Sequence, residues 1–63
     1  MSQRVRDIDE YFSRLLSDAE ALAANEWEVR FVMDIRDKYD EYEDDMFVSD
    51  AQLSTLRKIA EWD

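Results

Sequence analysis

The stretch NEWEVRFVMDIRDKYDEYEDDMFVSDAQL, residues 25–53, decides the fold because it contains two helix starts with one helix between them. Asn25 is followed three residues later by Glu28, and Ser49 is followed three residues later by Gln52. Each pair has the spacing of a capping box, in which the first side chain accepts a hydrogen bond from a free backbone N–H of the first turn. The two boxes predict a second helix from about residue 26 and a third from about residue 50.

The segment between the two boxes has apolar residues on two sides of the predicted helix, which advances by about 100° per residue. Val29 and Met33 lie on one side, and a larger apolar group lies on the other. Ion pairs at i, i+4 in the favourable order support the helix by about 0.2 to 0.5 kcal/mol each. The larger apolar group consists of Trp27, Phe31, Val32, Ile35, Tyr39, Tyr42 and Met46.

Upstream of Asn25, apolar residues recur in alternating steps of three and four, which predicts a first helix with a continuous apolar seam. Two interpretations of this seam remain open: the buried face of a three-helix monomer, or the interface of a helical homodimer. We expect the homodimer, because three short helices bury little surface in one chain. The predicted dimer-interface residues are Val5, Ile8, Phe12, Leu15, Ala19 and Leu22 in the seam, with Val29 and Met33 from the second helix.

The composition agrees with helices throughout. The 63-residue chain has no Gly and no Pro, which argues against the tight turns of hairpin-rich β structure. After Ser49, Leu53, Leu56, Ile59 and Ala60 form the apolar face of the third helix. We therefore predict an all-α fold in a single domain, residues 1–63, with three helices at about 3–23, 26–44 and 50–62. One continuous helix from 26 to 62 is the main alternative.

Charge restricts the partners of this protein. Seventeen acids and eight bases give a net charge of -9, and residues 25–48 contain nine of the acids and three of the bases. Such a chain repels nucleic-acid phosphate and anionic lipid over a Debye length of roughly 8 Å at physiological salt, so we expect no direct nucleic-acid or membrane binding. No apolar run has the length of a signal peptide or a bilayer span, which predicts a cytoplasmic protein.

The residues needed for common catalytic chemistry are absent. There is no His, no Cys and no Gly-rich phosphate loop, so we expect neither an enzyme nor a cofactor. Glu41, Glu43 and Asp45 have the first spacings of a calcium-binding EF-hand loop, but Met46 replaces the required Gly and Gln52 replaces the bidentate Glu. We therefore predict no metal site.

The acids between residues 40 and 45 lie among aromatic residues at the predicted end of the second helix. One interpretation is a solvated charged face beside ordinary core residues. The other is a docking surface for a basic partner, with aromatic anchors surrounded by charge. A third is imitation of DNA phosphates to inhibit a nucleic-acid-binding protein. The partner-binding candidates are Tyr39, Asp40, Glu41, Tyr42, Glu43, Asp44, Asp45 and Phe47.

NEWEVRFVMDI followed by SDAQLSTLRKIA resembles a helix-pair pattern of small phage and prophage proteins, across residues 25–61. From MSQRVRDIDEYF onward, the chain is similar to small early open reading frames between the exonuclease and excisionase genes of lambda-like bacteriophages. The resemblance implies a protein of the host cytoplasm that regulates the choice between lysis and lysogeny or the host cell cycle. It implies no catalytic residues. Ala51 replaces a Lys that is usual in the pattern, and the acidic insert before Ser49 is richer than usual.

Overall fold

The computed structural model describes residues 2–62, with the side chains of Ser2, Gln3 and Asp44 left out of the description. Three α-helices account for most of the chain: α1 (Asp9–Leu22), α2 (Glu26–Tyr42) and α3 (Asp50–Ile59). Two short strands, β1 (Ser2–Arg4) and β2 (Phe47–Ser49), and two 3₁₀ turns, Val5–Asp7 and Glu43–Asp45, complete the fold. The predicted all-α, three-helix fold is confirmed.

Both predicted helix starts are present, but only Ser49 and Gln52 form the complete capping box, because Glu28 bonds to Ala24 rather than to the cap residue Asn25. The Asn25 side chain accepts from the Glu28 backbone N–H at 2.9 Å, and the Glu28 carboxylate accepts from the backbone N–H of Ala24 at 2.8 Å. The Ser49 hydroxyl accepts from the Gln52 N–H at 3.1 Å, and the Gln52 side chain accepts from the Ser49 N–H at 2.9 Å. Each cap satisfies backbone donors that have no partner inside the helix.

The start of the first helix was predicted wrongly. Residues 3–8 are not α-helical, because β1 pairs with β2 in an antiparallel ladder that places Gln3 opposite Val48 and Arg4 opposite Phe47. The ladder continues in a hydrogen bond of 2.8 Å from the Val5 N–H to the Met46 carbonyl. The N-terminal backbone thus has its hydrogen-bond partners about 45 residues further along the chain, rather than four residues away as in a helix.

The C-terminal ends of α2 and α3 come earlier than predicted, and each is followed by a non-glycine residue with positive φ. Glu43 has φ 50° after α2, and Glu61 has φ 58° after α3. After α3, the Trp62 N–H donates to the Arg57 carbonyl at 2.9 Å and the Glu61 N–H donates to Lys58 at 3.3 Å. These are the two bonds of a Schellman motif, which usually has Gly where Glu61 stands.

The core lies around α1, which packs against both α2 and α3, whereas α2 and α3 make little direct contact. The single chain buries most of the seam but leaves one apolar side of α2 exposed. Four seam residues are completely buried within the single chain, and Ile8 is partly buried against them. The three remaining interface candidates, Leu22, Val29 and Met33, are exposed. The four buried seam residues are Val5, Phe12, Leu15 and Ala19.

Candidate functional site

Six of the eight partner-binding candidates form an exposed segment at the C-terminal end of α2 and the start of β2. We call this segment the acidic surface: Asp40, Glu41, Tyr42, Glu43, Asp45 and Phe47. Its two aromatic residues are more than half exposed, Tyr42 at 54% and Phe47 at 56%. The candidate Asp44 has a side chain outside the described part of the molecule. Met46, within the same segment, is buried, and it anchors the segment to the core.

Tyr39 belongs to the edge of the core rather than to the acidic surface. Its ring contacts the buried Phe12 with the ring centroids 5.5 Å apart, and its hydroxyl donates to the Asp9 carboxylate at 3.2 Å. The Arg36 guanidinium lies 5.9 Å from the centre of the same ring. These contacts join α1 to α2, so Tyr39 has a structural role beside the acidic surface, and its part in partner binding stays a prediction.

The backbone at Glu43 changes direction sharply inside the acidic surface. Its φ of 50° and ψ of -126° are unfavourable for a residue with a Cβ, and such conformations cost about 1 to 3 kcal/mol. Acids here also lie at the negative end of the α2 macrodipole, which opposes them by a few tenths of a kcal/mol each. The acidic surface therefore lowers the stability of the fold that presents it.

The N-terminal segment brings residues to the acidic surface that sequence reasoning did not include. The 3₁₀ turn Val5–Asp7 packs against the 3₁₀ turn Glu43–Asp45. The exposed Asp7 therefore belongs to a turn that neighbours the acidic surface. The Arg4 guanidinium lies 5.0 Å from the centre of the Phe47 ring, in a cation–π contact across the two-stranded ladder. No local pattern signals either residue, because both depend on pairing between distant parts of the chain.

A second exposed apolar region lies on α2, toward its N-terminal end. Val29 and Met33 line a groove together with Glu20, in the last turn of α1, and Ala23, which directly follows α1. Trp27 is 62% exposed, and its ring stacks on Phe31 with the centroids 5.5 Å apart. The exposed candidates Val29 and Met33 therefore lie together, as the sequence predicted, in a place separate from the buried seam.

The described residues contain neither a cluster of metal ligands nor a helix that could span a membrane. Among the side chains that the structure describes, which do not include that of Asp44, no three of His, Cys, Asp or Glu are grouped so that they could hold a metal ion. No helix within residues 2–62 has both the length and the apolar character needed to cross a bilayer. What the surface offers is exposed aromatic and aliphatic side chains next to unevenly distributed charge, which are features of protein binding.

Comparison with known proteins gives no match, whether the chain is compared with protein families, with curated proteins or with solved structures.

Proposed function

We propose that this protein is a small regulator that acts by protein–protein contact, and that its acidic surface binds a basic partner protein. The observation that carries the proposal is the exposure of Tyr42 and Phe47 on either side of an acidic turn. Aromatic side chains anchor many interfaces, and a ring of acids selects a partner of positive charge.

The energetic cost of the acidic surface supports a role in binding. A 63-residue domain buries only about 60% of the surface of its unfolded chain, so its stability margin is small. Glu43 nevertheless adopts a strained backbone conformation, and neighbouring acids repel one another at the negative end of α2. Solubility alone would be served equally well by acids elsewhere on the surface.

The Arg4–Phe47 contact is an example, within the chain, of the cation–π pairing that we expect a basic partner to make. A guanidinium already lies over the exposed Phe47 ring within the chain itself. Tyr42, which is similarly exposed and has acids on both sides in the sequence, offers a second ring to a cation from outside. The resemblance to early phage reading frames adds a biological setting, in which the partner is a host or phage protein that controls phage development or the host cell cycle.

A capture experiment with matched variants tests the proposal. The tagged protein is used to capture partners from a bacterial host lysate at low and at moderate salt, with or without added duplex DNA. We expect Glu41→Gln/Asp45→Asn and Tyr42→Ala/Phe47→Ala each to reduce capture by about tenfold, equivalent to 1.4 kcal/mol. Glu10→Gln/Glu61→Gln removes the same charge from exposed positions elsewhere and should leave capture unchanged.

Two outcomes would contradict the proposal. If the Glu41→Gln/Asp45→Asn variant captures the same partners as strongly as wild type does, the acids are only a solvated face. If capture disappears at moderate salt and duplex DNA competes for the captured proteins, the chain imitates DNA phosphates instead, because such binding depends steeply on ionic strength.

A further inference from the structure

The outer face of α2 is exposed and partly apolar, and it adjoins the acidic surface, which begins at Asp40 on the next turn of the helix. We define the outer face as Glu26, Val29, Arg30, Met33 and Asp37, which fall within an arc of about 100° on the helix. All five are exposed, and Met33, at the centre, is 59% exposed. The opposite side of the helix carries the buried Ile35, and the buried Val32 lies beside Val29 at the floor of the groove. The fold therefore does not need the apolar side chains of the outer face.

The distribution of charge indicates a second copy of this chain as the occupant. Two copies with a net charge of -9 repel each other, so they can meet only where the local charge is small. Residues 26–38 contain four acids and three bases, and two ion pairs lie along them, Glu26 with Arg30 and Asp34 with Lys38. Residues 40–45, by contrast, contain five acids and no base.

The order of charges on the outer face suits a two-fold axis. In a symmetric dimer of antiparallel α2 helices, residue i of one copy contacts residue j of the other, and j contacts i. If the axis passes beside Met33, Arg30 of each copy lies opposite Asp37 of the second copy. Among the described residues no cation pairs with Asp37. Arg30 pairs with Glu26, but both of those side chains are highly exposed, so the guanidinium can also reach a carboxylate of a second copy.

We propose that this protein forms a homodimer through antiparallel packing of the outer faces of α2, with the two Met33 side chains at the axis and two Arg30–Asp37 pairs beside them. Met33 suits the centre because its flexible thioether side chain adapts to a partner surface. Val29 and the groove that it shares with Ala23 lie next to Met33 and extend the apolar contact. An interface made of one helix from each copy buries less surface area than a standard protein–protein interface, so we expect a weak dimer.

The same geometry predicts an unusual salt dependence. Glu26 lies opposite Glu41 of the second copy at the ends of the interface, and the two chains repel each other as a whole. Salt screens both of these repulsions and also the two Arg30–Asp37 attractions. Repulsion between two chains of net charge -9 is the larger of these effects, so the dimer should become tighter as ionic strength rises. Binding of a basic partner at the acidic surface should weaken over the same range, which separates the two interfaces experimentally.

Charge reversal tests the proposed pairing. Sedimentation equilibrium of wild type at high micromolar concentration should give a mass approaching twice the 7.6 kDa of one chain. Arg30→Asp and Asp37→Arg should each raise the dimer dissociation constant at least about tenfold, because like charges then face each other. The double variant Arg30→Asp/Asp37→Arg restores both pairs with reversed sign and should restore the dimer. Arg14→Asp, at an exposed position on α1, serves as the matched control and should remain dimeric.

Each other outcome overturns the proposal. A wild-type protein that sediments as a monomer at high micromolar concentration has no such interface. Single reversals that remain dimeric place the interface elsewhere, and a double variant that does not recover excludes the Arg30–Asp37 pairing. All of the substituted side chains are exposed, and circular dichroism of each variant will verify that the fold is intact.

Discussion

Helices α1 and α2 both have more apolar residues than a narrow stripe requires, but the structure uses them differently. Because α1 lies between the other two helices, Phe12, Leu15, Leu16 and Ala19 are completely buried in the single chain. α2 packs mainly on α1, and its exposed surface includes Trp27, Val29, Met33 and Tyr42. A similar apolar content thus stabilises the monomer in α1 and leaves exposed apolar side chains on α2.

The largest expected difference between α1 and α2 is in the stability that is lost when one large apolar residue of each helix is truncated. Phe12→Ala removes a completely buried ring and should lower the free energy of unfolding by about 3 to 5 kcal/mol. Met33→Ala should change it by less than about 0.5 kcal/mol at concentrations where the protein is monomeric, because the side chain is exposed. Urea unfolding followed by circular dichroism measures both values. Equal losses would show that α2 is buried to the same extent as α1.

A glycine at position 43, in the turn that ends α2, should raise the stability of the protein. Glu43→Gly removes the Cβ that makes φ 50° unfavourable, and the gain exceeds the added entropy of the unfolded chain, for a net stabilisation of about 1 kcal/mol. For a domain of this size, that raises the Tm by roughly 4 to 8 °C.

Two controls isolate the backbone effect at Glu43. Glu43→Gln removes the charge but keeps the Cβ, and it should give only a small part of the gain. Glu41→Gly, inside the last turn of α2, should instead destabilise the protein by up to about 1 kcal/mol. A Tm for Glu43→Gly at or below that of wild type would show that the turn relaxes without cost.

The smallest expected effect is the gain in stability when two acids of the acidic surface are neutralised. Glu41→Gln/Asp45→Asn should stabilise the monomer by a few tenths of a kcal/mol at low salt, because both acids lie near the negative end of α2. Salt should reduce the difference between wild type and variant, since both side chains are exposed. Thermal unfolding at two ionic strengths checks this prediction. A loss of stability would show that these acids make favourable contacts within the fold.

The residues of the candidate site were only partly predictable. Tyr42 and Phe47 are exposed beside acids, whereas Tyr39 three residues earlier packs on Phe12. A helical pattern places Tyr39 and Tyr42 near each other, but it does not say how far the neighbouring helix extends over that side. Arg4 reaches Phe47 only because β1 pairs with β2.

The sequence by itself determined the number of helices, their approximate positions and the starts of α2 and α3. These features depend on interactions within one or two turns, such as the hydrogen bonds between Ser49 and Gln52.

Only the tertiary structure decided which apolar faces are buried, where α1 begins and where Trp62 lies. Trp62 closes against α1, with its indole N–H donating to Asp18 at 2.8 Å and its ring 5.4 Å from Tyr11. The N-terminal residues became a strand because distant backbone groups satisfied their hydrogen bonds. A one-dimensional pattern records which faces are apolar, but the packing of helices in three dimensions selects which of them are covered.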